Sequence, residues 1–186
     1  MYTRRVRELT GEDFDDAPVE RFVGEKQFSL LSETDETAIS MRPGEWHEDH
    51  HNDTYTVLRG DFDEWFAEQA EEAGATVITQ TTVTDLVRDE DGTIVGVETD
   101  RPDGSIRAPV VVLAEGGNSL ISEAADLKET DARDEVAIGV KEVRKYGRET
   151  IQERFGLGED DGAAYHYFGK GACGDAVGGG FIYTNK

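Results

Sequence analysis

The sequence predicts an α/β fold carrying an inserted antiparallel layer, and three observations predict it. An amphipathic helix over Asp61–Ala73 stands between two β-rich runs. Three short strands follow, divided by the turn dipeptides Asp91-Gly92 and Asp103-Gly104. The unbroken apolar run Val110-Val111-Val112-Leu113 then returns to the core. Helix, core strand, meander and return strand together make an α/β plan.

Taken in order, residues 1–53 read as an irregular segment with short extended stretches at Lys26–Ser32 and Thr37–Arg42 and a polar loop at Pro43–Asp53. Tyr55–Leu58 is β-rich. Asp61 with Glu64 three residues on has the spacing of a capping box. Phe62, Trp65, Phe66, Ala70 and Ala73 form one apolar stripe, and Gly74 supplies the left-handed stop. Ala75–Thr79 reads as a strand. Thr82–Arg88 and Thr93–Glu98 flank Asp91-Gly92 as a hairpin, and Ser105–Ala108 follows the second turn. Val110–Leu113 has the composition of a strand buried on both faces. It leads through Ala114–Ser119 into a short helix, Leu120–Ala125.

Asp126–Asp134 is a charged linker. Beyond it the sequence predicts strands at Glu135–Val143, Ala164–Phe168 and Gly180–Thr184 and a helix at Glu149–Phe155. Three divisions result: 1–53, 54–126 and 127–186. The apolar run just before Lys186 reads as a strand still wanting a partner, so the chain is expected to be an internal piece of a longer protein.

The bulk numbers narrow the class. A hydrophobic content of 37% supports a core. Asp+Glu total 41 against 19 Lys+Arg, for a net charge of −22, which opposes a nucleic-acid partner. Thirteen arginines to six lysines and acids spread along the whole chain suggest a protein that folds in concentrated salt. There the Debye length falls to about 3 Å at 1 M and self-repulsion is screened. No run is apolar and long enough to span a bilayer, and no signal-peptide core follows Met1. One cysteine, Cys173, excludes an intrachain disulfide, and a cytoplasmic setting is expected.

Among candidate sites, Ala114–Ser119 is the strongest. Small residues at the carboxyl end of a strand let a ligand approach the backbone, although a tight strand-to-helix turn wants glycine for its own sake. Arg59, between a strand and a helix, offers a donor fork to a phosphate or flavin oxygen. Its plain alternative is a solvated pair with Asp61 or Asp63. Gly169-Lys170-Gly171-Ala172-Cys173-Gly174 matches G-x-G-x-x-G in letters, but the glycine-rich Asp175–Gly180 opens no helix, so it reads as a decoy. His47, His50 and His51 lack a regular ligand frame and read as solvated loop, not a metal site. Cys173 has no histidine partner placed by sequence.

Thr56–Ala75 resembles the stretch V-x-R-x-x-F-D-x-W-L-A-x-x-A-E-x-A-G-A of FixC-type flavoproteins, relatives of electron-transfer-flavoprotein:quinone oxidoreductases and, more distantly, of geranylgeranyl reductases. Val111–Ser119 is similar to their second flavin fingerprint, usually Ala-Asp-Gly-x-Asn-Ser. Ala137–Val143 and Gly178–Asn185 resemble two further segments that favour the FixC and quinone-reductase branch. The resemblance implies a partial FAD/NAD(P)-binding Rossmann-like domain with an inserted three-stranded meander, joined to part of an α+β substrate domain.

It also implies FAD as cofactor of the intact parent. Arg59 is then expected near the ribityl or pyrophosphate, the Val83 backbone at the adenine, and Ala114, Glu115 and Gly116 along adenosine and pyrophosphate. Glu115 replaces the usual Asp and is one methylene longer. The family's opening G-x-G-x-x-G unit has no counterpart in these residues, so the piece alone is expected to be inactive. No catalytic residue and no metal ligand is assigned. The implied activity is electron transfer between an electron-transfer flavoprotein and a membrane quinone, with peripheral membrane contact at the inner face of the cell membrane. A geranylgeranyl reductase-like enzyme and a truncated acidic binding module are the alternatives.

Overall fold

The computed structural model describes residues 1–42, 54–129, 136–170 and 176–185. The expected loop over 43–53 with its three histidines, Glu135, most of the 126–134 linker, and Cys173 with most of the glycine-rich decoy lie outside them. In chain order the elements are α1 (Arg4–Thr10), β1 (Val19–Leu31), β2 (Glu36–Met41), β3 (Tyr55–Val57), α2 (Arg59–Glu72) and β4 (Val83–Arg88). These are followed by β5 (Ile94–Thr99), β6 (Ile106–Arg107), α3 (Leu120–Ala124), α4 (Arg148–Phe155), β7 (Asp161–Gly169) and β8 (Gly178–Tyr183). The chain divides into two compact units, Met1–Thr76 with Arg144–Lys186, and Val77–Val143. These boundaries differ from the three sequence divisions, 1–53, 54–126 and 127–186.

The first unit is built on a sheet ordered β2-β1-β7-β8, with β3 also paired to β1. β1 and β7 run parallel and the other pairs are antiparallel. The register aligns Ile39, Phe28, His166 and Phe181 in one row across the four strands. Flanking rows on the same face run Met41, Lys26, Ala164, Tyr183 and Thr37, Leu30, Phe168, Gly179. Buried threonines tie the strand ends together. Thr56 Oγ1 accepts from the Arg21 N–H at 3.1 Å and donates to the Thr184 carbonyl at 3.0 Å. Thr184 Oγ1 in turn accepts from Ala163 N–H at 3.0 Å. Each buried hydroxyl is thereby satisfied, as a dry interior requires.

α2 forms because Phe62 buries against Phe14 and Ala17, with Trp65 half-buried beside them. Trp65 meets Phe14 edge-on at 6.3 Å and Phe62 at 5.4 Å. The expected apolar stripe is narrower than predicted, because Phe66 is 39% exposed. The helix also begins two residues early, at Arg59. Leu58 occupies the N-cap and no side chain caps it, so the Asp61 capping box does not form. Gly74 at φ 97° does supply the stop.

In the second unit β4-β5-β6 is the predicted antiparallel meander. Asp89 Oδ1 accepts the N–H groups of Asp91 and Thr93 at 3.1 and 2.8 Å, while Gly92 takes φ 82°, which closes the first turn.

Three expected strands are absent. Ala75–Thr79, Val110–Leu113 and the described part of Glu135–Val143 carry no strand pairing. Val112 is 81% exposed and Ile138 97% exposed. Their β-branched composition favours extended backbone, but strand hydrogen bonds come from a neighbour, and among the described residues none pairs with them. Lys26–Ser32 belongs to the longer β1, and α1 occupies a stretch the sequence left irregular.

Candidate functional site

Three of the five predicted flavin-site residues come together in the second unit. Val83 opens β4, and Ala114 and Glu115 follow the Val110–Leu113 run. All three line one open hollow of about 450 Å³, with Val97 of β5 and Ile121 of α3 as further apolar walls. Gly116, the fourth, continues from Glu115 at φ 73°, a conformation glycine adopts without strain.

Hydrogen bonds, most of them from side chains, hold the rim. Asp100 Oδ1 accepts Thr82 N–H at 3.0 Å and Asp100 N–H reaches the Thr82 carbonyl at 2.9 Å. Arg101 donates to Thr81 Oγ1 at 3.1 Å and to the Gln80 carbonyl at 2.9 Å. Lys128 Nζ donates to Ser119 Oγ at 2.9 Å. Sequence reasoning missed Arg101 and Lys128. The signal was scarcity, since only 19 basic residues accompany 41 acids.

Glu115 does not direct its carboxylate at a ligand. Its oxygens accept the N–H groups of Ile121 and Ser122 at 2.8 and 2.9 Å and the Ser122 hydroxyl at 2.6 Å. It caps α3 from six residues upstream, a task the N-cap Ser119 leaves undone. Those bonds, led by the Ser122 hydroxyl, hold the carboxyl below its ordinary pKa. The side chain therefore takes the two amides that an anion would need at that helix end.

Arg59 lies in the other unit, on the first turn of α2. It forms a bidentate pair with Asp63, at 2.8 and 2.9 Å, on the exposed helix face. Of the two partners the sequence offered, Asp63 is the one used. The hydrogen bond to Asp63 raises the guanidinium pKa further.

Whether FAD fits can be judged from these donors. The hollow offers apolar walls and backbone edges suited to an adenosine. The amides at α3 that would suit a diphosphate are already engaged by Glu115. The residues present therefore fit the adenosine side of FAD and supply little for its phosphates. The groups His47, His50 and His51 lie outside the described residues, among which no cluster suited to a metal occurs. No helix among them is long and apolar enough to cross a membrane.

Comparison with known proteins places the chain in a class. The family described as FAD dependent oxidoreductase matches residues 25–168, and the chain belongs to that family. More particularly, the whole chain is similar to the proteins named FixC. It is 41% identical to those of Azorhizobium caulinodans and Bradyrhizobium diazoefficiens and 36% identical to that of Escherichia coli strain K12. It spans 42% of the length of each of these relatives.

Proposed function

We propose that this chain supplies the adenosine side of the FAD cradle in a FixC-like flavoprotein that passes electrons between an electron-transfer flavoprotein and a quinone. The observation that carries the reading is the convergence of Val83, Ala114 and Glu115 on one hollow, in a chain of the FAD dependent oxidoreductase family. When bound, the flavin supplies the redox chemistry, and the protein supplies position and electrostatics. Val83 and Ala114–Gly116 offer backbone edges to the adenosine. The Glu115 side chain acts indirectly, by holding α3 and the turn before it. Arg59, as a cation near the ribityl or pyrophosphate, would first have to leave Asp63.

Titrating FAD, ADP and FMN separately into the purified chain in molar KCl tests the reading. ADP and FAD should bind comparably and weakly, and FMN should not bind. Each hydrogen bond to a charged phosphate that the residues present do not supply, worth about 1.5–3 kcal/mol, would weaken binding by roughly one to two orders of magnitude. Binding of FMN without ADP, or nanomolar affinity for FAD, would overturn it.

A further inference from the structure

Val83 lines the hollow as the first residue of β4, and residues 75–82 before it belong to no strand. Thr81 and Thr82 of that stretch line the same hollow. Something other than strand pairing must therefore fix them in place. Gln80 sharpens the need. Its φ of 53° lies in the left-handed region, which costs free energy outside glycine and lasts only where neighbouring groups hold it.

The group that holds it is Arg101. Its Nη2 donates to the Gln80 carbonyl at 2.9 Å and its Nε to Thr81 Oγ1 at 3.1 Å, across 21 and 20 residues of chain. With 41 acids to 19 bases, an exposed arginine here has carboxylates to choose from, and Arg59 takes one. Arg101 instead gives two arms of its fork to uncharged acceptors, both in the stretch that leads into Val83. A rigid planar fork fixes two acceptors at a set separation, which a lysine cannot do. Arg101 is itself held by the turn that joins β5 to β6. Its N–H donates to Thr99 Oγ1 at 3.3 Å, its carbonyl accepts Gly104 N–H at 3.0 Å, and Thr99 Oγ1 donates to the Gly104 carbonyl at 2.8 Å. A Cβ at Gly104 would run into Thr99 Oγ1 and the Arg101 carbonyl, so glycine is needed there. On the far side of Val83 the register with β5 shifts before Asp85, a bulge that re-aims the strand beside the hollow.

We propose that Arg101 is a positioning residue for the adenosine half of the cofactor. It fixes Gln80 and Thr81 so that the strand edge at Val83 meets the adenine, and it does so without touching the ligand. Arg101 is not among the residues that line the hollow, and both bonded nitrogens point to the chain before β4. The proposal rests on reading this hollow as an adenosine site.

The probes are adenosine and ADP, titrated separately into the purified chain in molar KCl and followed by the Thr82 and Val83 amide resonances. Arg101→Ala should weaken adenosine at least about fivefold and ADP by the same factor. Adenosine carries no charge, so a loss shared by both ligands comes from geometry and not from a missing phosphate contact. Thr81→Val, which removes one of the two acceptors, should lose less, and the double variant should bind as Arg101→Ala alone. Arg88→Ala removes an equal charge and one turn hydrogen bond from the same meander, and should bind as the parent. In the unliganded chain Arg101→Ala should also quicken hydrogen exchange at Thr82 and leave Gly92 as it was. Circular dichroism checks that each variant folds; if Arg101→Ala does not, Arg101→Gln, which keeps one donor arm, decides by the same criteria. Unchanged adenosine affinity in Arg101→Ala, a loss confined to ADP, additive losses in the double variant, or an equal loss in Arg88→Ala would each overturn the proposal. A parent that binds neither ligand overturns the flavin reading and this proposal together. A parent that binds both, with Arg101→Ala unaffected, keeps the flavin reading and loses only this one.

Discussion

Glu115 shows how one side chain can serve a turn without touching a ligand. Its carboxylate stands where the sequence fingerprint usually has Asp, and the extra methylene belongs to a side chain that reaches the amides of Ile121 and Ser122. Because the folded-state pKa is depressed, the contribution to stability is present above the ordinary carboxylate pKa. It is lost as pH falls through the depressed value, where the folded state takes up the proton at last. Hydrogen exchange of the Ile121 and Ser122 amides should therefore quicken as pH drops through the acid range, after correction for intrinsic rates. Glu115→Gln should quicken it already at neutral pH and abolish that pH dependence. Protection in the variant equal to that of the parent would show that the cap is incidental. The sequence marked Glu115 as a candidate site position but could not show the direction of its side chain, because the donors lie in the next helix and depend on the turn at Ser119, φ 43°.

At the scale of elements, legibility followed the range of the interactions. α2 and the β4-β5-β6 meander were readable because their signals are local: an apolar stripe with a glycine stop, and turn residues at Asp91-Gly92 and Asp103-Gly104. Val110–Leu113 was misread because β-branched composition reports a preference for extended backbone, whereas a strand exists only beside another strand. β1 was read only in its second half, as Lys26–Ser32, for the opposite reason. Its buried positions include Arg21, Glu25 and Ser29, polar residues whose burial depends on β3 and β7, far away in sequence. The α2 stripe was overdrawn at Phe66 for a similar reason, since periodicity gives a face but not the width of what covers it. The helix can be tested at this point. Phe62 is buried at 6% exposure, so Phe62→Ala should cost about 3–5 kcal/mol in urea unfolding. Phe66→Ala removes a half-solvated ring and should cost about 1 kcal/mol or less, near the ordinary range for surface changes. Equal costs would mean that the core about Phe14, Ala17 and Phe62 extends over Phe66 as well.

For the whole molecule, the governing quantity is charge. At −22 over 186 residues the folded chain concentrates carboxylates that an expanded chain holds farther apart, so compaction raises their mutual repulsion. Only 19 basic residues are present to compensate them. The ion pairs Arg4–Glu8 and Arg59–Asp63 join side chains at least 43% exposed, and surface pairs of this kind contribute little. The hydrophobic side of the balance is also thin. Among the described residues the buried apolar side chains are Phe14, Ala17, Val23, Phe62, Leu86 and Ala163, while many large apolar side chains remain exposed. Repulsion in a chain so composed acts against a small reserve, since domains of ordinary size retain only about 5–15 kcal/mol in total. Added KCl changes one term selectively. It shortens the screening length from about 10 Å at 0.1 M to about 3 Å at 1 M, below the spacing of most surface carboxylates. The melting temperature should therefore climb steadily as KCl rises into the molar range. Most of the gain attributable to screening should arrive by about 1 M, where the screening length is already short. Sodium sulfate at matched ionic strength separates screening from stronger exclusion of salt by apolar surface, because sulfate strengthens burial beyond its ionic strength. If the climb is electrostatic, KCl and sulfate should coincide at low ionic strength and diverge only at high. A melting temperature indifferent to KCl from low to molar salt would show that the acidic surface is not an adaptation to salt.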